Sequence, residues 1–242
     1  MHILPSLTEA LKLSEQTGPR IAAVGAGGKT TLLKRLASEY QMSGQKPAVI
    51  TTTHMKAEDS PQFLTDPSID EIMEVREREG CVFAGAGADE GKIRILPPDV
   101  LAAVLELDGP VLIEADGARR LPVKIPAEHE PALLPQMTCV LSVYGLDAVG
   151  RRIEEVCFRA ERVSDFLHKD IREILEPEDI AMLAMSRRAG RKGTSRHMQY
   201  VIVLNKADTD KRQESALDIW RQIEKRKSGQ GLGEVKVLVS AR

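Results

Sequence analysis

Short, unbroken apolar runs alternate along this chain with stretches in which apolar residues return every three or four positions. The runs are at residues 21–24 (IAAV), 47–52 (PAVITT), 111–115 (VLIEA), 138–144 (TCVLSVY), 200–204 (YVIVL) and 235–239 (VKVLV), and most meet a Gly, Pro, Asn or Asp at one end. Most show no period-two alternation, so they read as strands of a parallel sheet buried on both faces. Residues 3–16 predict a short amphipathic helix, capped by Ser6 or Thr8, with Leu7, Ala10, Leu11 and Leu13 inward. Leu32, Leu33 and Leu36 mark a second helix, and Pro97-Pro98-Asp99 opens another that runs to about Leu107. Residues 151–167, 169–175 and 177–185 read as helical pieces, and 214–227 as a last helix. Residues 56–70 are polar and proline-punctuated, a surface loop, while the alternation over 71–96 around a Gly/Asp turn predicts a β-hairpin insert. Its Gly85-Ala86-Gly87 reads as a turn. Strand–helix–strand order favours parallel pairing with right-handed crossovers. The expectation is a three-layer α/β fold: one domain over residues 1–242, its mostly parallel sheet flanked by helices.

The first apolar run opens into Gly25-Ala26-Gly27-Gly28, followed by Lys29, Thr30 and Thr31 and then the helix. Strand, glycine turn, lysine, hydroxyl, helix is the order of a phosphate-binding loop, which makes the expected fold P-loop NTPase-like. Glycines let successive amides converge on phosphate oxygens, and the helix start adds a positive dipole end. Lys29 would reach the β/γ-phosphates and Thr30 would hold Mg2+. One position departs from the usual pattern: Ala23 stands where a glycine is expected.

Strand carboxyl ends are where open α/β sheets bind ligands, so the residues after each run carry the remaining candidates. Thr51 to Thr53 and His54 follow the second run, and Thr52, Thr53 and His54 are candidates for substrate or phosphate contact. The run at 111–115 ends in Glu114, Asp116 and Gly117, the form of a strand-tip carboxylate that holds Mg2+. Asp116 is favoured as the metal ligand with Thr30, on the expectation that only one of the two acids faces the loop. Residues 121–135 hold four prolines and predict a rigid, extended segment. With the arginine pair before it, this stretch carries Arg119, Arg120, Lys124, His129 and Glu130 in the switch or substrate-facing position. Arg159 reads as a solvated helix arginine. After the run at 200–204 comes Asn205-Lys206-Ala207-Asp208. Asp208 could accept from guanine N1–H and the 2-amino group, a pair that adenine lacks. Lys206 would lie along the base and Asn205 would brace the loop; Ser240-Ala241 could reach guanine O6.

Composition narrows the classes. A net charge of −2 gives no general attraction to nucleic acid or to an anionic membrane, and 3% aromatic content argues against a base-stacking surface. The basic stretch 186–197 (SRRAGRKGTSRH) reads as a solvated loop. Cys81, Cys139 and Cys157 lie far apart, the pattern of reduced, buried thiols. With no signal pattern and no spanning apolar run, the reading is a cytoplasmic protein.

With GAGGKTTLL, TTTH, LIEADGARRLPVK, HEP and LNKAD in this order, the sequence resembles the YqeC family over nearly its whole length. That family is described as an accessory protein for selenium-dependent molybdenum hydroxylases, in selenium cofactor biosynthesis. The resemblance implies a nucleotide-binding P-loop fold, with a molybdenum hydroxylase or a cofactor-biosynthesis protein as partner. The reading is a Mg2+-dependent protein that binds GTP (or ATP), a slow GTPase with Lys29, Asp116 and Glu114 as its catalytic candidates. A kinase or nucleotidyltransferase acting on a pterin or selenium compound is the alternative, and a non-hydrolysing binding module is a third.

Overall fold

The structure, a computed structural model, describes residues 6–11, 18–230 and 235–241, the side chains of 228–230 excepted. Helix α1 (Leu7–Ala10) is capped by Ser6, whose hydroxyl accepts from the Glu9 amide, and it buries Leu7 and, just beyond, Leu11. Leu13 lies outside the described residues. Strand β1 (Arg20–Gly25), helix α2 (Lys29–Met42) and strand β2 (Ala48–Thr51) follow the predicted order. Two short strands, β3 (His54–Lys56) and β4 (Phe63–Thr65), interrupt the expected surface loop.

The alternation assigned to residues 71–96 divides in two. Helix α3 (Ile69–Glu79) occupies the first half, nucleated by a capping box in which Ser68 and Glu71 satisfy each other's backbone amides. Only then come β5 (Val82–Ala88) and β6 (Lys92–Arg94), which form the hairpin. It is part of the main sheet, because β5 pairs in parallel with β2. Gly85 lies inside β5, where a Cβ would stand 2.7 Å from the Arg94 carbonyl oxygen. That glycine serves close strand approach, so the expected turn is corrected.

Helix α4 (Pro98–Leu105) and strand β7 (Val111–Glu114) come next, then the two-residue β8 (Val123–Lys124) and β9 (Cys139–Gly145). Beyond them lie α5 (Ile153–Val156), β10 (Cys157–Phe158), α6 (Ala160–Leu167), α7 (Pro177–Met185), β11 (Gln199–Asn205), α8 (Asp210–Gln230) and β12 (Val235–Ser240). The helix expected over 169–175 is absent. Its backbone pairs instead with residues 150–154, through Leu175 N–H to Arg151 O at 2.8 Å and Ile153 N–H to Glu173 O at 3.0 Å.

Among the described residues a ten-stranded sheet runs β12-β11-β9-β1-β7-β2-β5-β6-β3, with β4 beside β5. It is parallel from β12 to β5. Successive β1 side chains go to opposite faces: Ile21 and Ala23 join α1 and α2, whereas Ala22 and Val24 join the core under the other helices. Three layers result, and the order puts β1 between β7 and β9. The phosphate loop, the acid-tipped strand and the partners of the NKAD strand therefore open on one edge of the sheet.

Candidate functional site

The chain turns out of β1 with Gly25, Gly27 and Gly28 at φ of +88°, +81° and +112°, values that carry a penalty for any residue with a Cβ. Space is as tight as geometry: a Cβ on Gly27 would stand 2.2 Å from the Gly145 nitrogen at the end of β9. Ala23 tolerates its Cβ because it lies within β1, fully buried and paired with Glu114 and Leu141. The amides of Gly25, Ala26 and Gly27 are spent on the protein: on Asp116 Oδ2 (2.8 Å), Val143 O (2.9 Å) and Leu121 O (3.2 Å). That leaves the helix start. Gly28 caps α2 without a side-chain hydrogen bond, and the first-turn amides of Lys29, Thr30 and Thr31 have no acceptor within the helix. An anion seat at residues 28–31, held open by the three preceding amides, is what this geometry offers.

Lys29 is buried beside that seat, with its Nζ 2.7 Å from Gly25 O and 3.1 Å from Asp116 Oδ1. The hydroxyl of Thr30 donates to Glu114 Oε2 at 2.7 Å. The expectation that only one of the two acids faces the loop is corrected: residues two apart on an extended chain share a face, and both carboxylates reach it. Their tasks differ. Asp116 is occupied by two ammonium groups and an amide, whereas Glu114 stands against the hydroxyl expected on the metal. Burial pushes the Glu114 carboxyl above its ordinary range, against the pull of Lys29 and of the Thr30 hydrogen bond. A hydroxyl and a carboxylate beside a phosphate seat suit Mg2+, which takes few protein ligands and shares the rest with phosphate and water. Among the described residues no group of three or more His, Cys, Asp or Glu could hold a metal by itself.

Lys124 is not presented to a ligand as expected. It is buried, with Nζ 3.1 Å from Asp116 Oδ2, 2.8 Å from Glu130 Oε2 and 2.7 Å from Gly117 O. Pairing of β8 with β10 brings Arg159 to the same carboxylate, at 2.7 and 3.2 Å, and lays its guanidinium 4.3 Å from the centre of the Phe158 ring. Burial alone would raise the Glu130 carboxyl; hydrogen bonds from Arg159, Lys124 and the Ala127 amide outweigh it and hold it down at about 2. A chain of alternating charges thus runs from Lys29 through Asp116, Lys124 and Glu130 to Arg159. Glu130 and Arg159 were the members least legible beforehand, since the strand pair that joins them spans only two residues on each side.

The NKAD segment arrives at the end of β11, with β12 beside it in register so that Asn205 faces Ser240. Asn205 Nδ2 donates to Gly27 O at 2.8 Å, which ties this strand end to the phosphate loop. A cleft of about 240 Å³ opens there, lined by Gly28, Thr31, Leu32, Arg35, Asn205, Lys206, Ser240 and Ala241. Lys206, at φ +66°, is paired with Asp147 at 2.6 Å. Asp208 is exposed outside that lining, 3.4 Å from Arg212 Nη1.

The other candidates are dispersed. Thr52 spends its hydroxyl on Ala132 O at 2.9 Å, clasping residues 130–135 to the strand end, and Thr53 gives its amide to the Thr51 hydroxyl at 3.1 Å. His54 is exposed on β3 opposite Arg94, and His129 is exposed beside Glu130. Arg119 and Arg120 are exposed on the turn between Asp116 and β8. In the basic stretch, Lys192 donates to the carbonyls of Ala127 and Glu128 at 2.5 and 2.9 Å, so it packs on the 121–135 segment. The three cysteines are free and buried, and burial pushes each thiol up to about 12.

A glycine loop leading a parallel central strand into a helix start, beside a neighbouring strand that ends in acids, makes this a protein of P-loop NTPase-like fold. The family model for the YqeC protein matches residues 21–161, and the chain belongs to that family. It is 36% identical over 138 residues to the uncharacterized protein YqeC of Escherichia coli (strain K12), an alignment covering 55% of this chain and 54% of that protein. The chain thus spans about half the length of the curated relative it matches. The family match takes in the phosphate loop, both acids and Arg159; the NKAD segment lies beyond it. Among the described residues no helix is long and apolar enough to cross a membrane.

Proposed function

We propose that this chain is a Mg2+-dependent purine-nucleotide-binding protein that prefers GTP, hydrolyses it slowly, and serves as an accessory factor in maturing a selenium-dependent molybdenum hydroxylase. The observation that carries the nucleotide reading is the Thr30–Glu114 hydroxyl–carboxylate pair, set beside the buried Lys29 at an uncapped helix start. Amides at residues 28–31 take the phosphate oxygens, and Lys29 exchanges Gly25 O and Asp116 for phosphate charge. Thr30 and Glu114 would hold the metal, and Mg2+ when bound would neutralise phosphate charge. Asp116 keeps the loop bent through the Gly25 amide, a positioning task in place of the ligand role first expected. The guanine preference is supported by the cleft between α2 and the β11–β12 ends, and by the Asn205 bond that fixes its distance from the phosphate seat. Asp208, outside that lining, must exchange Arg212 for the base. The accessory role rests on family resemblance alone.

Calorimetric competition among GTP, ATP and CTP on the full chain with Mg2+ tests this. GTP is expected to bind at least about 10-fold more tightly than ATP. Equal or better ATP binding removes the guanine assignment. For the accessory role, a purified selenium-dependent molybdenum hydroxylase should bind the GTP-loaded chain and release the nucleotide-free one; indifference to nucleotide state rejects it.

A further inference from the structure

Seven non-glycine residues have positive φ among the described residues, and three of them are arginines at one place: Arg119 (+46°), Arg120 (+63°) and Arg159 (+62°). Left-handed backbone is unfavourable for long side chains, and two in succession persist only where the surroundings enforce them. Here they do. Leu121 N–H closes the turn on Ala118 O at 2.9 Å, Leu121 O accepts from Gly27 of the phosphate loop at 3.2 Å, and Pro122 O accepts from Gly145 at 2.9 Å. The arginine turn is therefore fastened directly to the phosphate loop.

The local charges do not balance. Asp116 serves Lys29 and Lys124, and Glu130 serves Lys124 and Arg159. Among the described residues no carboxylate pairs with Arg119 or Arg120. The guanidinium of Arg119 stands over the Phe158 ring at 5.3 Å, and Arg159 over the same ring at 4.3 Å. Attraction to the ring orders a guanidinium held over it, while its N–H fork stays available for a bidentate oxyanion.

We propose that Arg119, held over Phe158, and Arg120, fixed beside it by the backbone of the same turn, form a second oxyanion site that seats the phosphate or carboxylate group of a small acceptor molecule beside the nucleotide. This rests on the nucleotide reading for what the neighbour is, though not for the site itself. A protein so built senses an acidic small molecule beside its nucleotide. Two sources could supply the oxyanion: a separate acceptor, which is the proposal, or the terminal phosphate of the nucleotide.

The probe is inorganic phosphate, titrated by calorimetry into the full chain saturated with Mg2+ and a non-hydrolysable GTP analogue. One saturable phosphate site is expected, weakened at least about 10-fold in the Arg119→Gly/Arg120→Gly double variant. Glycine suits the positive φ, so the turn is retained. The Arg119→Lys/Arg120→Lys variant, which keeps charge and loses the fork, should fall about 3-fold. Absence of saturable phosphate binding, or equal binding by the glycine variant, overturns the proposal. So does a loss of about 10-fold or more in nucleotide affinity in the glycine variant, which would assign the arginines to the nucleotide's own phosphates. Failure of the nucleotide reading is distinguishable. A nucleotide-free Lys29→Ala chain should still bind phosphate and lose it on adding the two glycines, whether or not GTP binds the unsubstituted chain.

Discussion

Around residues 25–30 the contacts join loop backbone, Lys29 and Thr30 to buried groups of the strand ends; around residues 205–208 they are mostly pairs of partly exposed side chains. Lys29 and Asp116 are shielded from solvent, and three loop amides are fixed before any ligand arrives. Asp208 and Lys206 instead hold Arg212 and Asp147, partners that solvent reaches. Coulomb interactions in water are several-fold weaker than in a protein interior. On the nucleotide reading the backbone of the phosphate end is accordingly preorganised, and Lys29 alone changes partners there. At the other end partners must be exchanged on binding, so it can contribute selectivity but little affinity.

Lys29→Ala is the sharpest way to break this contrast. It should weaken triphosphate binding by about 100-fold or more, with the fold kept because Lys124 and the Gly25 amide still hold Asp116. Calorimetry alongside circular dichroism checks both halves, and unchanged affinity rejects the loop assignment. Glu114→Gln keeps an acceptor for the Thr30 hydroxyl and removes the charge. The Mg2+-dependent part of GTP affinity should then drop about 10-fold while Mg2+-free binding stays. If Asp116→Asn has that effect and Glu114→Gln has none, the metal belongs to Asp116 after all.

Asp208→Ala should leave overall affinity within about 3-fold and cut the GTP-over-ATP preference about 10-fold, the signature of a selective but weakly contributing end. A retained preference would detach guanine reading from this residue. The smallest effect on nucleotide affinity is expected at Glu130, whose role is in stability. Its carboxyl is depressed from an ordinary 4.5 to about 2, so its contribution to stability is fully present above pH 4.5 and is lost as pH falls toward 2. Glu130→Gln should flatten that acid limb in thermal melts; an unchanged limb means that Glu130 carries none of it.

Much of the phosphate end was legible because it depends on neighbours in sequence. A glycine turn, a lysine and a helix start lie within seven residues, and local backbone preferences decide them. The division of labour between Glu114 and Asp116 was not legible. Which carboxylate meets Thr30 depends on the β1–β7 register, with Ala23 opposite Glu114, and on where α2 crosses above it. The helix over residues 69–79 was missed despite its capping-box residues Ser68 and Glu71, because the strand-like alternation that follows was extended backward over it.

By itself the sequence determined the layered α/β class, the strand-to-helix phosphate loop and the places where strands end, all products of short-range periodicity and turn chemistry. Only the tertiary structure decided that Asp116 is a clamp between two lysines, that Arg159 reaches Glu130, and that Asn205 is bonded to Gly27. The pairs concerned lie 8, 29, 87 and 178 positions apart. Such pairs form because packing a parallel sheet brings all its strand ends to one edge, and no local pattern records which of them will touch.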